Sequence, residues 1–283
     1  MRTVILISLI SASLAAAATD YDRALDLYKH TEYQASLKVL QQLNKKDAAA
    51  LALTGQNYFM LGDAKHATDF FQKAVAADPN NSVYYHWLGR AYGRRAETSN
   101  PFSALGHASK THQSFEKAVE LDPKNSEAVN DLFEYYLQAP SFAGGGLDKA
   151  TQIAERIAER DPAEGNYARA RIAEKRKEYP SAEEHLRRAM QLAPRQVGRV
   201  IDLAKFLAKQ GRFQESDETF VAAEKLAPNA PKLMYARAAT YIQAGRNLDT
   251  ARVLLEKYLA ASLTPEDPPR SEARKLLDRV SGG

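Results

Sequence analysis

The chain has 283 residues, 45% hydrophobic and 26% charged, with a formal net charge of +4, the composition of a soluble folded protein long enough for one large domain or two ordinary ones. So small an excess, with acidic residues interspersed among the basic ones, argues against a nucleic-acid partner. The absence of cysteine excludes disulfides, thiolate metal sites, a thiol nucleophile and a lipid-acceptor cysteine.

Residues 1–18 read as an export signal. Arg2 is the basic start, Val4, Ile5, Leu6, Ile7, Leu9 and Ile10 form the apolar stretch, and Ala16 and Ala18 satisfy the small-x-small cleavage rule. Cleavage after Ala18 leaves Thr19 first and a formal charge of about +3. The apolar stretch is short for a bilayer span and no second one follows, so no stable membrane insertion is expected after cleavage. A periplasmic or secreted location follows from this reading.

From Thr19 onward the chain predicts pairs of amphipathic helices. Leu51, Thr54, Gly55 and Tyr58 share one helical face, as do Tyr85, Leu88, Gly89 and Tyr92, then Val129, Leu132, Phe133 and Tyr136, then Val200, Leu203, Ala204 and Leu207. Each such helix is followed by a second with a small–aromatic–small face, as in Ala67, Phe71 and Ala74 or Ser216, Phe220 and Ala223. Prolines at 79, 123, 162, 194, 228 and 265 punctuate the pairs, since proline lacks the N–H that a helix interior needs.

These residues resemble the tetratricopeptide repeat family, whose 34-residue unit places leucine, glycine and tyrosine on its first helix, alanine, an aromatic and alanine on its second, and a closing proline. Residues 48–81 fit closely through Gly55, Tyr58, Gly62, Ala67, Phe71, Ala74, Asp78 and Pro79. The phase predicts units at about 19–47, 48–81, 82–125, 126–162, 163–196, 197–230 and 231–264, with a polar capping helix at 268–280. The implied fold is all-α, a right-handed superhelix of about seven hairpins in one domain over 19–283.

The resemblance also implies a function: binding a protein segment along a concave face lined by first helices. Transferred to this sequence, the lining begins with Tyr21, Tyr28, Phe59 and Met60. It continues through His86, Arg90, Arg94, Asn130, Glu134, Tyr167, Arg171, Lys175, Lys205, Lys209 and Tyr235. Arginines interleaved with aromatics suit a peptide site, and the basic residues favour an acidic partner. The two-lysine, two-asparagine and arginine clamp that some members use for a C-terminal carboxylate has no counterpart, because the matching positions hold Ala52, Gln56, Trp87, Glu127 and Asp131.

Two units break the period. One insertion lies near Arg95–Ser109 and the other runs from Gln138 to Ala150. Both fall between the two helices of their unit and are predicted as neighbouring loops on one rim. Phe102 and Phe142 are expected to tuck back onto the helices. The triplet Gly144–Gly146 ahead of a helix invites a phosphate reading, but no Gly-Lys-Ser/Thr follows and Asp148 would occupy the positive helix end, so a flexible turn is preferred.

No catalytic pattern is found. His30, His66, His86, His107, His112 and His185 are scattered over several units, and neither HExxH nor GxSxG occurs. The expectation is therefore a non-enzymatic adaptor without metal or cofactor, holding a protein segment in the periplasm or cell envelope. Two alternatives remain open: a structural subunit of an envelope assembly, and a small-ligand or glycan binder with a pocket among Tyr21, Phe59 and His86.

Overall fold

The computed structural model describes residues 20–281; the predicted export segment lies outside them. Among the described residues there are fifteen α-helices, one short 3-10 turn and no strand. In chain order they are α1 (20–29), α2 (Tyr33–Gln42), α3 (Ala48–Met60), α4 (Ala64–Ala77), α5 (Ser82–Thr98) and α6 (Pro101–Leu121). Then come α7 (Ser126–Gln138), α8 (Leu147–Arg160), α9 (Pro162–Lys175), α10 (Tyr179–Leu192) and α11 (Val197–Lys209). The last are α12 (Phe213–Leu226), α13 (Pro231–Gln243), α14 (Leu248–Ala260) and α15 (Arg270–Ser281). They form seven hairpins and a final single helix. The chain divides into two compact units, with the boundary between Ala128 and Val129. A repeat array makes mainly nearest-neighbour contacts, so it has no need of a single shared core.

Short polar residues start many of the helices. Asp47, Asp63, Asn81, Asn100 and Asp161 each accept a backbone N–H of the first turn, satisfying donors that have no partner within the helix. Hairpin turns need one residue in the left-handed region. Gly62, Gly211 and Gly245 supply it without steric cost, whereas Thr31 and Lys177 take φ of 62° at the same place in their own turns.

In α3 and α5 of the first unit the small residue of the first helix receives an aromatic ring. Phe71 packs on Gly55 and Phe115 on Gly89, so closely that a Cβ there would lie 2.8 Å and 2.5 Å from ring carbons. Asn57, fully buried, donates to Ser36 Oγ at 2.9 Å, and Ser36 donates to the Ala24 carbonyl at 2.8 Å. In the second unit Leu186, Leu203, Phe206 and Leu207 form one apolar cluster and Val200, Phe220 and Leu233 another. A third cluster, with Tyr241, Leu255 and Tyr258, is covered by Ala273, Leu276 and Leu277 of α15.

The insertions depart from the loop expectation. The first is helical: it lengthens α5 to 17 residues and α6 to 21, against 13 and 14 in α3 and α4. Asn100 caps α6 and Pro101 occupies its first turn, where a missing N–H costs nothing. The second insertion is pinned rather than loose. Tyr135 Oη donates to the Ala143 carbonyl at 2.5 Å, Gly146 N donates to the Tyr136 carbonyl at 2.9 Å, and a Cβ on Gly145 would strike the Ala139 carbonyl oxygen. Asp148 does sit in the first turn of α8. Neither phenylalanine tucks in: Phe102 is 95% exposed and Phe142 79%.

Candidate functional site

In the first unit the candidate lining is partly core. Tyr28 and Met60 are buried, and His86 is only 2% exposed. His86 lies 5.9 Å from the Phe115 ring, with Nδ1 3.9 Å from Glu127. It points inward because it belongs to the packed face of α5 beside Leu88 and Gly89. A pocket using His86 as an open wall is therefore absent from the described residues. The lining that reaches the surface is a half-buried aromatic–cation group, of which Arg94 is the exposed member. Trp87 meets Phe59 edge-on at 5.4 Å, the Arg90 guanidinium lies 4.3 Å over Trp87 and 5.2 Å over Phe59, and Arg94 lies 5.9 Å from Phe59.

In the second unit α7, α9 and α11 bring five candidates, Asn130, Glu134, Tyr167, Arg171 and Lys209, into a polar ladder. Asn130 donates to Glu164 at 3.3 Å, Arg171 donates to Glu134 at 2.6 Å and to Tyr167 Oη at 3.0 Å, and Lys209 donates to Glu174 at 2.7 Å. Arg199 bonds Glu164 and Asp202, and its guanidinium lies 4.9 Å from the Tyr167 ring. Burial pushes the Tyr167 hydroxyl up to about 12, with the nearby Asp202 charge adding to it. Burial also raises Glu164 and Asp202, against the opposing pull of Arg199. A cavity of about 460 Å³ opens onto Tyr167, Arg171, Asp202, Lys205 and Lys209, with Leu186, Phe206 and Phe213 as apolar walls.

Lys205 is exposed and, among the described residues, has no direct ion pair. Lys175 is exposed in the last turn of α9. Tyr235 belongs elsewhere: it packs on Tyr258 at 5.4 Å, against the cluster that α15 covers.

Sequence reasoning placed Glu134 in this ladder but missed Glu164, Glu174, Asp202 and Arg199. Glu164 and Arg199 stand 35 residues apart, as do Glu174 and Lys209. An opposite charge one repeat further on was the available signal, because equivalent positions of successive hairpins face one another.

A face of first helices carrying a ladder of polar groups, built on hairpins repeated through both units, defines a helical-repeat protein. Tetratricopeptide repeat models match residues 13–82 and 70–107, so the chain carries tetratricopeptide repeats. Solved structures share the fold. A tetratricopeptide repeat protein from Parabacteroides merdae is 13% identical, with a TM-score of 0.60, covering 94% of this chain and 99% of its own. A thermophilic one from Thermus thermophilus is 19% identical, with a TM-score of 0.55, covering 68% and 98%. The C-terminal part of a repeat-containing protein from Cytophaga hutchinsonii is 16% identical, with a TM-score of 0.50, covering 91% and 99%. No curated protein matches the chain.

Proposed function

We propose that the protein is a non-enzymatic adaptor of the periplasm or cell envelope that holds a segment of a partner protein on the first-helix face of its second unit. One observation carries the reading: the cavity of about 460 Å³ bounded by Tyr167, Arg171, Lys205 and Lys209. Four of its walls, Tyr167, Arg171, Lys205 and Lys209, stand at positions where the family resemblance implies ligand contact. It combines apolar walls with a few fixed polar groups, as peptide and ligand sites do. Arg171 and Lys209 are already held by carboxylates, so Lys205 is the cation of this cavity available to an acidic residue of the partner.

Cross-linking in the cell with a lysine-reactive reagent tests both parts of the proposal. The protein, recovered from the envelope fraction, is expected to begin at Thr19 and to carry partner cross-links on Lys205, Lys209 and Lys175. Recovery from the cytoplasm with residues 1–18 retained would refute the location. Cross-links confined to second-helix lysines such as Lys225 and Lys257 would refute the groove.

A further inference from the structure

Phe102 is the most exposed of the large apolar side chains described, at 95%, and Leu105 one turn later is 48% exposed. Both lie where α6 overhangs its neighbours. From Pro101 to Lys110 the helix has no buried side chain, and burial begins at Thr111. The excess length of α6 over α4 carries this tip roughly 10 Å beyond the preceding hairpin, at 1.5 Å per residue. No Asp or Glu occurs between Pro101 and Lys110.

Beneath the tip is a collar of positive charge centred on Tyr92. Arg95 lies 5.9 Å from that ring, Lys110 Nζ lies 5.1 Å from it, and His107 stacks on it at 5.9 Å. Burial first, and then Arg95 and Lys110, hold His107 below the usual histidine range. Lys65 lines the same shallow depression as Arg95 and Thr98. The acidic groups nearby are already engaged, Asp63 with His66 and Glu97 with Arg94.

We propose that the α5/α6 tip docks on an anionic lipid surface, with Phe102 and Leu105 entering the headgroup–acyl boundary and Arg95 and Lys110 lying at the level of the lipid phosphates. The dimensions agree. Phe102 and Lys110 are separated by about 12 Å of helix, against an interfacial insertion depth of about 5–10 Å. Convexity and charge favour a bilayer over a protein partner: a protruding apolar tip ringed by cations suits a yielding anionic surface. The docking is peripheral, since among the described residues no helix is long and apolar enough to cross a membrane. It is independent of the groove.

The lack of cysteine allows a single label at the tip. The full chain carrying Ser103→Cys is labelled with an environment-sensitive fluorophore and titrated with vesicles of phosphatidylcholine, with and without phosphatidylglycerol. The expected result is a blue shift with phosphatidylglycerol vesicles that high salt abolishes. Phe102→Ser with Leu105→Ser, or Arg95→Gln with Lys110→Gln, should weaken the partition at least about tenfold. A label on Thr219→Cys, on α12 and away from the tip in sequence, should not shift. An unchanged tip spectrum, as a protein-binding tip would give, overturns the proposal. So does a shift that survives both double substitutions.

Discussion

Gly89 and Gly93 lie one turn apart on α5 and answer to opposite physics. A Cβ on Gly89 would meet the Phe115 ring at 2.5 Å, and that ring is only 6% exposed, so it has nowhere to retreat. Gly89→Ala is expected to destabilise the protein by about 1–3 kcal/mol through overpacking. On Gly93 the nearest atom would be the Thr111 methyl at 3.8 Å, ordinary contact. Gly93→Ala is expected to stabilise by about 0.5–1 kcal/mol by lowering the backbone entropy lost on folding. Urea titrations of the two variants should shift in opposite directions; a gain for Gly89→Ala would refute the close helix approach. The small residue in that slot was legible in the sequence. The orientation of His86 was not. A histidine beside Trp87 on an amphipathic helix can face either way, and only the position of Phe115 on α6 decides that the imidazole points inward.

At the level of elements, two ion pairs repeat with the fold. Glu183 on α10 bonds Arg212 in the turn before α12, and Asp217 on α12 bonds Arg246 in the turn before α14 at 2.6 Å, each pair 29 residues apart. Each ties a hairpin turn to the second helix of the preceding hairpin. The hydrogen bond from Arg212, aided by Arg187, holds the Glu183 carboxyl below the usual range. A carboxylate whose folded pKa is depressed adds stability above its unfolded value, near 4.5, and loses it as pH falls through the folded value. Glu183→Gln should therefore cost about 0.5–1 kcal/mol at neutral pH, the range of a partly exposed pair, and the difference from the parent should close under acid. A gap that persisted under acid would mean that Glu183 acts by packing rather than by charge. Helix positions were legible because proline stops and capping residues mark them locally. The stretch after Arg95 misled for the same reason: Asn100-Pro101 reads as a break in a chain, yet it is also a helix start, and only packing against α5 distinguishes the two. The pinned turn at Gly145 depends on a carbonyl at Ala139 whose position the sequence does not encode locally.

On the scale of the whole molecule, stability is shared out hairpin by hairpin, so damage at one end should stay at that end. Ala273 of α15 is fully buried against the cluster containing Tyr241, Leu255 and Tyr258, and Tyr258 Oη donates to the Pro268 carbonyl in the approach to α15. Ala273→Asp places a carboxylate in that apolar contact with no partner, which a terminal helix escapes most readily by undocking. Undocking uncovers α13 and α14, whose second face has no further hairpin among the described residues. Hydrogen exchange should then quicken in α13, α14 and α15 while α3 and α4 keep the parent's rates, because each hairpin leans on its neighbours and not on a common core. A uniform loss of protection through both units would show instead that the array unfolds as one cooperative body. The same locality bears on function. The Lys205 cavity is separated from α15 only by α13 and α14, so a partner held there should slow exchange in α11 and α13 and leave the α5/α6 tip free to engage a second surface.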